Sequence, residues 1–420
     1  MPSQSSSVAT ANSGPLSGIR VLDLSRVLAA PWAAQILGDL GADVIKVEQT
    51  TTGDDTRAWG PPFLQDGDEA TFAPYFLACN RNKRSIAIDL AKPEGAEIVR
   101  KLAAQSDVLI ENFKVGGLAK YGLDYVSIKK AAPNIIYCSV TGFGQTGPYA
   151  PRGGYDFLIQ AMGGIMSVTG PAADTPGAEP TKVGLPAVDL FTGMYAAIAI
   201  QAALRHKDQT GEGQHIDCAL LDSAVAMLAN QSATWLMGGP VPQPMGNAHP
   251  SIVPYRTFPV SDGHIVVAVG NTKQFIALCD ILGRPDIGAD PRYQSSPGRK
   301  EHRDELEAEL TQEFAKWTKD SIIAAMSQND VPGGPINTVD QVFADQQVVA
   351  RKMLEPTPST AGTELPLVRF PAILSASPAT IRRAPPQLGE HSVEVLSQVL
   401  KLPADEIAAL CKRGVIGADK

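Results

Sequence analysis

The 420-residue sequence has no long run of lysine or arginine, and its 36 basic residues are outnumbered by 44 acidic ones. The formal net charge is therefore −8. Nucleic acids and anionic membranes attract proteins through dense positive charge. We therefore expect neither as the main partner of this chain, although a local basic cluster could still bind a small anion.

Cysteine is scarce, and the five cysteines lie far apart, without the close spacing of metal ligands: Cys79, Cys138, Cys218, Cys279 and Cys411. Scattered cysteines in odd number are typical of reduced thiols in the cytosol or an organelle. The opening segment MPSQSSSVATANSG lacks the apolar region of a secretory signal and the arginines of a mitochondrial presequence. We expect a cytoplasmic protein without a metal site, and a disordered tail over residues 1–14.

Long apolar runs are also missing. The most apolar stretch, residues 185–204, is interrupted by Asp189, Gly193 and Gln201, whereas a membrane span requires roughly 20 consecutive apolar residues. No membrane span is expected. The length is sufficient for two or three units that each bury a core.

Strand-like and helix-like segments alternate through the first half of the chain. The segments GIRVLDLS, DVIKVEQ, RSIAIDL and DVLIENF have the apolar alternation of strands, and helix-like segments such as PWAAQILGDLGA lie between them. Repeated strand–helix–strand units predict an α/β fold with an open, mainly parallel sheet. Ligands of such sheets bind beyond the carboxyl ends of the strands, which here are VEQTTTGDDTR, IENFKVGG and VTGFGQTGP.

The second half has a different pattern. Residues 251–339 combine two strands, YRTFPV and HIVVAVG, with two helices, and the chain ends in two amphipathic helices. We expect residues 15–210 to form the first part of a large domain and 211–250 to form a linker. Residues 251–339 are expected to form a smaller α+β domain, and residues 340–420 to return to the large one.

The carboxylate of Asp189 stands out because it lies in VGLPAVDLFTGMYAAIAIQAAL, with no cation between Lys182 and Arg205. Burying an unpaired carboxylate is costly, so Asp189 is interpreted either as the N-cap of a buried helix or as a reactive group. The two roles are compatible. At a helix start the dipole and free N–H groups would keep Asp189 ionised, and Gly193 would let another group approach closely.

Stretches along nearly the whole chain resemble the family III CoA-transferases, which include formyl-CoA and carnitine CoA-transferases: RVLAAPWAAQILGDLGADVIKVE, NRNKRSIAIDL, DVLIENF, GYDFLIQAMGGIMSVTG, PAVDLFTGMYAAIAIQAAL, TGEGQHIDCALLDS and PPQLGEH. The resemblance implies a Rossmann-like large domain built from both chain ends, a smaller domain, and an interlocked homodimer. It also implies that Asp189 is a covalent nucleophile that passes through an acyl anhydride and an aspartyl-CoA thioester. CoA is then a substrate, and no permanently bound cofactor is expected.

The same resemblance implies a CoA site at matched positions: Leu28, Ala29, Gln49, Ile88, Asp89, Leu90, Ala91, Asn112, Phe113, Lys114, Lys120, Arg152, Gly153, Gly154 and Tyr155. The segment IENFKVGGLAKYG supplies an aromatic ring, lysines and adjacent glycines, which suit an adenine ring and phosphates. A solvated basic loop is the alternative for Lys114 and Lys120. Relatives commonly carry a cation where this chain has Gln49. Backbone N–H groups near small residues could bind the developing oxyanion, the candidates being Gly163, Gly164, Gly184 and Gly193.

Within the family, the chain resembles transferases that use succinyl-CoA and dicarboxylic acids such as glutarate, 3-hydroxymethylglutarate or itaconate. Such an acceptor keeps one free carboxylate, which needs a cation in a partly dry pocket. Arg26 is the main candidate, with His249 and Arg57 as others, and a helix-capping or phosphate contact is the alternative for Arg26. His249 lies where related transferases place a loop over the acyl group, and a structural role is its alternative. The remaining histidines singled out are interpreted as surface or capping residues: His206, His215, His302 and His391.

Two other functions fit the residues less well than CoA transfer. A 2-methylacyl-CoA racemase of the same superfamily needs a histidine in a G-H-D segment as a proton shuttle. This chain has Gly154-Tyr155-Asp156 there, and a tyrosine with a pKa of about 10 is a poor substitute. A nicotinamide- or nucleotide-binding protein needs G-x-G-x-x-G after the first strand or a P-loop, and neither is present.

Overall fold

The computed structural model describes residues 14–67 and 70–417, which form two compact units. The first unit comprises residues 14–165, 183–233 and 351–417, and the second comprises 166–182 and 234–350. The predicted disordered tail lies outside the described residues except for Gly14.

The strands are β1 (Arg20–Asp23), β2 (Asp43–Glu48), β3 (Leu64–Asp66), β4 (Ala70–Phe72), β5 (Lys83–Ile88), β6 (Val108–Glu111), β7 (Ile136–Thr141), β8 (His215–Ala219), β9 (Tyr255–Val260), β10 (Gly263–Ala268), β11 (Gly333–Pro335), β12 (Leu354–Pro358), β13 (Glu364–Val368) and β14 (Ile416–Gly417).

The helices are α1 (Ala29–Asp39), α2 (Pro74–Cys79), α3 (Pro93–Ala104), α4 (Tyr125–Ala131), α5 (Asp156–Met162), α6 (Ala187–Thr210), α7 (Leu220–Met227), α8 (Ala229–Leu236), α9 (Thr272–Ile281), α10 (Pro285–Ala289), α11 (Ser296–Glu301), α12 (Arg303–Phe314), α13 (Lys319–Gln328), α14 (Val339–Ala344), α15 (Gln346–Ala350), α16 (Ser392–Gln398) and α17 (Ala404–Lys412).

A seven-stranded sheet organises the first unit in the order β14-β5-β2-β1-β6-β7-β8. All neighbouring strands are parallel except β14, which pairs antiparallel with β5. The predicted α/β fold with a mainly parallel sheet is therefore confirmed. Numbered one to six in chain order, the parallel strands lie in the order 3-2-1-4-5-6, which is the order of dinucleotide-binding sheets.

Both faces of this sheet are buried, as in other parallel sheets. Successive residues of a strand point to opposite sides and therefore pack in different cores. In β1, Val21 packs in the core that contains α1 and α6, whereas Leu22 packs in the core that contains α3, α16 and α17. The strands alone are too short to bury such cores. The helices on each side therefore supply the rest of the apolar surface.

The second unit contains a three-stranded antiparallel sheet in the order β11-β10-β9. Its core joins this sheet to α9, α12 and α13 through residues such as Phe258, Phe275 and Phe314. The segments YRTFPV and HIVVAVG form β9 and the greater part of β10, as predicted.

One expectation differs from the structure. The predicted linker 211–250 contains β8, α7 and α8, because the segment HIDCA pairs with β7 and completes the large sheet. The three residues that interrupt the apolar run, Asp189, Gly193 and Gln201, all lie within α6. By length and composition alone, α6 could cross a membrane, but half of its most apolar window is buried in the protein, as in a core helix.

Candidate active site

Asp189 is the third residue of α6, and Pro186, rather than Asp189, is the N-cap residue. A different carboxylate caps the helix. Asp156 accepts hydrogen bonds from the N–H groups of Val188 and Asp189 at 2.8 and 3.2 Å. The N-cap interpretation of Asp189 is therefore wrong, and its side chain is left for other contacts.

The electrostatic surroundings of Asp189 also differ from the expectation. Burial, followed by the negative charge of Asp156, raises the pKa of Asp189 to about 7. None of the residues described here donates a hydrogen bond to the Asp189 carboxylate. Because Asp156 takes the first-turn N–H groups, the helix does not keep Asp189 ionised as predicted. Near neutral pH a substantial fraction of this carboxyl group is protonated.

Asp189 lines a cavity formed by the loops that follow β1, β6 and β7, as expected for the carboxyl ends of parallel strands. We name this cavity the Asp189 cavity. Eleven residues predicted from the sequence line it: Arg26, Leu28, Ala29, Asn112, Phe113, Lys114, Arg152, Gly153, Gly154, Tyr155 and Asp189. The resemblance and the topology therefore converge on one place in the first unit.

Two glycines bring separate loops together at this cavity. A Cβ on Gly142 would lie 2.7 Å from the Cα of Gly154, and a Cβ on Gly154 would lie 2.7 Å from the Cα of Gly142. Any side chain at either position would collide with backbone. This close approach places the loop after β7 beside the loop that enters α5.

The predicted oxyanion glycines have other surroundings. A Cβ on Gly193 would meet the carbonyl oxygen of Ala29 at 2.5 Å, so this glycine allows α6 to pack on α1. A Cβ on Gly163 would meet the Cβ of Ala224 at 2.5 Å, so this glycine allows contact with α7. The backbone of α1, rather than a ligand, therefore lies against Gly193.

The Asp189 cavity carries a positive rim. Lys114 and Arg152 are exposed, and neither forms an ion pair with any residue in the described ranges. The guanidinium of Arg152 lies 5.1 Å from the ring centre of Phe143 and 4.8 Å from that of Tyr149. These cations suit a ligand that carries phosphates or carboxylates.

A second cavity adjoins the first, since Arg26 and Phe113 line both. Its lining includes the other predicted CoA contacts on the loops after β2 and β5: Gln49, Ile88, Asp89, Leu90 and Ala91. The side-chain oxygen of Gln49 accepts hydrogen bonds from the N–H and hydroxyl groups of Thr51 and Thr52, at 2.8–3.1 Å. Gln49 thus stabilises its own loop.

Two predicted site residues of the first unit, Lys120 and Arg57, line neither cavity. Lys120 is exposed with its Nζ 4.7 Å from the ring centre of Tyr121, which fits the solvated-loop alternative. Arg57 donates to both carboxylate oxygens of Glu48 at 2.8 Å and to the carbonyl of Pro386, so the structure gives no support to its substrate role.

His249 belongs to the second unit. Its Nδ1 accepts hydrogen bonds from the N–H groups of Ser251 and Ile252, at 3.0 and 3.1 Å. Its carbonyl oxygen accepts a hydrogen bond from Arg303 at 2.8 Å. These are the contacts of a side chain that organises its own turn.

Sequence reasoning missed Tyr75 and the capping role of Asp156. Burial, followed by the nearby charges of Asp189 and Asp156, raises the pKa of the Tyr75 phenol, so this ring lies close to both carboxylates. Tyr75 comes from α2, far from Asp189 in the sequence. The only available signal for Asp156 was its place in the G-Y-D segment.

The histidine predictions require one correction. His215 is half-buried, its Nε2 lies 2.9 Å from the hydroxyl of Ser139, and its ring stacks on Tyr125 with centres 4.7 Å apart. It is therefore not a surface residue. His391 occupies the N-cap position of α16 and is buried. Among the residues that the structure describes, no three histidine, cysteine or acidic side chains gather as a metal site.

Comparison with known proteins identifies the family. The model of CoA-transferase family III matches residues 16–392. The chain is 51% identical over 386 residues to a succinate–glutarate CoA-transferase of Agrobacterium fabrum, covering 92% of this chain and 96% of the relative. It is 42% identical over 409 residues to the human succinyl-CoA:glutarate CoA-transferase, covering 96% of this chain and 90% of the relative.

A solved structure agrees with these sequence matches. The crystal structure of a CAIB/BAIF family protein from Brucella suis superposes with a TM-score of 0.82 at 48% sequence identity, covering 92% of this chain and 100% of that one. The protein is therefore an enzyme of CoA-transferase family III.

Proposed function

We propose that this enzyme transfers CoA from succinyl-CoA to a five- or six-carbon dicarboxylic acid. Glutarate is the first acceptor proposed, followed by 3-hydroxymethylglutarate and itaconate. The observation that carries the proposal is the Asp189 carboxylate in a cavity rimmed by Arg26, Lys114 and Arg152. The names of the relatives support it, since three of them act on glutarate and others on mesaconate.

In the proposed reaction, an ionised oxygen of Asp189 attacks the thioester carbon of succinyl-CoA, and the C–S bond breaks to release CoA thiolate. The thiolate then attacks the aspartyl carbonyl of the mixed anhydride, which releases succinate and leaves an aspartyl-CoA thioester. The acceptor carboxylate repeats both steps in reverse and regenerates Asp189. Every leaving group is an anion: CoA thiolate is used in the following step, succinate leaves as product, and the Asp189 carboxylate is regenerated, so no external proton or redox partner is required.

Arg26 is the proposed partner of the acceptor's free carboxylate. Its main-chain N–H donates to the side-chain oxygen of Asn112 at 3.0 Å, and its carbonyl oxygen accepts from the side-chain amide of Asn112 at 2.6 Å. These two hydrogen bonds hold Arg26 in place. Its guanidinium pairs with Asp55 at 3.0 Å, but both side chains are about half exposed. Such pairs contribute only about 0–1 kcal/mol. A dicarboxylate can therefore displace Asp55 at little cost.

An acceptor panel run with succinyl-CoA tests this function and the role of Arg26. We expect glutarate and itaconate to exceed formate, oxalate and carnitine in kcat/KM. Arg26→Met should raise the KM for glutarate by about tenfold, the usual effect of losing one charge-assisted contact. The matched variant Asp55→Asn leaves Arg26 intact, and its KM for glutarate should stay the same or fall.

Two results would contradict the substrate proposal. One is a panel in which monocarboxylic acids exceed glutarate and itaconate. The other is an Arg26→Met enzyme that loses monocarboxylate and dicarboxylate activity equally, because that loss would indicate a phosphate contact or a general effect on the loop.

For the assembly, we propose that the enzyme forms an interlocked homodimer with Rossmann-like large domains. The sheet order 3-2-1-4-5-6 supports the domain assignment. One face of α6 supports the dimer, because Phe191, Met194, Tyr195 and Ile198 follow helical spacing and are 42–58% exposed. A contiguous apolar face of this kind marks an interaction surface.

Dilution tests the interlocked dimer. Subunits that pass through one another cannot separate without opening a chain, so we expect sedimentation at decreasing concentration to show dimer and no folded monomer. A reversible monomer–dimer equilibrium at micromolar concentration would exclude the interlocked architecture.

A further inference from the structure

The loop that follows β1, residues 25–28, contains a strained residue. Val27 has a φ of 72°, in the left-handed region that a β-branched residue rarely adopts. Such a backbone is energetically unfavourable and persists only where surrounding contacts hold it. The two residues beside it, Arg26 and Leu28, line the Asp189 cavity. Whatever holds Val27 therefore also sets the position of two cavity residues.

A buried ion pair holds this loop from both sides of Arg26. The Nζ of Lys46 lies 2.9 Å from the carboxylate of Asp54, and both side chains are fully buried. Lys46 also donates to the carbonyl oxygen of Ser25 at 2.8 Å, and Asp54 accepts from the N–H of Val27 at 3.2 Å. One ion pair thus fixes the main-chain groups immediately before and after Arg26.

A second buried pair lies beside the first. Lys83 contacts Asp23 at 3.0 Å, and Asp23 accepts hydrogen bonds from the N–H and the hydroxyl of Ser25. Ser25 is therefore held through its N–H by Asp23 and through its carbonyl by Lys46. Lys83 also donates to the carbonyl of Pro31 in the first turn of α1, which joins the loop to the helix that follows.

The Lys46–Asp54 pair remains ionised. Burial acts to raise the pKa of Asp54, but the charge of Lys46 and the hydrogen bonds from Thr56 and Lys46 lower it to about 2. Burial also acts to lower the pKa of the Lys46 ammonium, but the charges of the nearby carboxylates raise this pKa above its usual value. Both groups therefore carry full charge across the working pH range.

Net stability is a poor explanation for such a pair, because replacing a buried ion pair with apolar residues is often neutral or stabilising. We propose that Lys46 and Asp54 are positioning residues that hold Val27 in its strained conformation and thereby orient Arg26 and Leu28 at the reacting carboxylate. This inference rests on the proposed role of Asp189. Neither residue touches the reacting atoms in this arrangement, and both act through the loop.

The test removes both charges together with Lys46→Met/Asp54→Asn, so that no uncompensated buried charge remains. We expect kcat for CoA transfer from succinyl-CoA to glutarate to fall about 10- to 100-fold, because a displacement of about 1 Å at a reacting centre has effects of this size. A general loss of folding is monitored by the melting temperature in the same samples.

Rescue distinguishes positioning from a merely structural role. Glycine adopts the left-handed conformation without strain, so adding Val27→Gly to the double variant should restore kcat by about fivefold or more. A role in stability alone predicts no such rescue. The control Arg81→Met/Asp39→Asn removes another buried pair that does not contact residues 25–28. This control should leave kcat unchanged, whatever its melting temperature.

The wild-type enzyme offers a test that does not depend on any variant. Hydrogen–deuterium exchange of the amides of Ser25 and Val27 should be slow, because Asp23 and Asp54 accept these N–H groups. Three results would each overturn the proposal. The first is free exchange of these amides, and the second is a double variant with kcat within about threefold of wild type. The third is a rescue variant whose kcat is no higher than that of the double variant. Failure of the proposed function is distinct, since wild-type enzyme would then show no succinyl-CoA:glutarate activity.

Discussion

Replacing Asp189 with alanine or asparagine is expected to lower CoA exchange by at least about a thousandfold while CoA still binds, since the proposed nucleophile is lost but the rest of the site remains. Asp189→Asn is the sharper variant because it removes the attacking charge with almost no change of shape. Turnover is measured with succinyl-CoA and glutarate, and CoA binding by calorimetry. Asp208→Asn is the matched control, because it makes the same change at an exposed position near the other end of α6.

Covalent trapping completes this first prediction. Wild-type enzyme incubated with succinyl-CoA should carry CoA, or an acyl group that hydroxylamine removes, on the peptide that contains Asp189. Mass spectrometry identifies the adduct, and the asparagine variant should carry none. Near-normal turnover in either variant, or an adduct on another residue, would exclude Asp189 as the nucleophile.

The second prediction concerns pH. In the proposed mechanism only ionised Asp189 can attack, and burial together with Asp156 raises its pKa to about 7. Below that pH, kcat/KM should fall by about tenfold for each pH unit. Dicarboxylic acceptors remain ionised at pH 6–7, so the decline belongs to the enzyme. Asp156→Asn removes the second cause of the raised pKa and should move the decline to lower pH.

Glu111 provides the control for this interpretation. Burial raises its pKa to about 7 as well, and it accepts a hydrogen bond from the N–H of Phe113 beside the cavity. Glu111→Gln should retain the decline in kcat/KM. A decline that disappears in this variant, or a flat profile in wild type from pH 5 to 8, would contradict the assignment to Asp189.

Stability should show the opposite trend from activity. A carboxyl group with a higher pKa in the folded state destabilises that state when it ionises. The free energy of unfolding should therefore decrease from about pH 4 to about pH 7 and show no further loss from Asp189 at higher pH. Asp189→Asn avoids the cost. Its melting temperature should exceed that of wild type at pH 8, and the difference should shrink toward pH 5.

The parallel sheet was predictable because DVIKVE, SIAI and VLIE are short, apolar-rich segments and helical segments of suitable length separate the strands. The strand HIDCA was not recognised. Four of its five residues are polar or small, only Ala219 is buried, and its pairing with β7 comes from sequence about 78 residues away. Local patterns do not carry that information.

The place of Asp189 could be predicted from the sequence, but its protonation could not. The motif around Asp189 locates it at the start of an apolar helix, whereas its pKa depends on Asp156, which reaches the helix from 33 residues upstream. Lys46 illustrates the same limit. Within DVIKVE, Lys46 is at a position typical of an exposed strand residue. Its side chain is nevertheless fully buried, where it pairs with Asp54 in the loop after β2.

The antiparallel strand β14 has a consequence for biosynthesis. It covers the β5 edge of the sheet with residues Ile416 and Gly417, more than 300 residues after β5 is translated. Until then, a nascent chain presents an open parallel edge to chaperones and to neighbouring ribosomes, and exposed edges promote aggregation. The second unit, by contrast, has all of its strands by residue 335 and can collapse while the last part of the first unit is still inside the ribosome. Affinity tags and fluorescent reporters fused directly after Gly417 would compete with this late closure, so recombinant yield should be better with fusions at the other terminus.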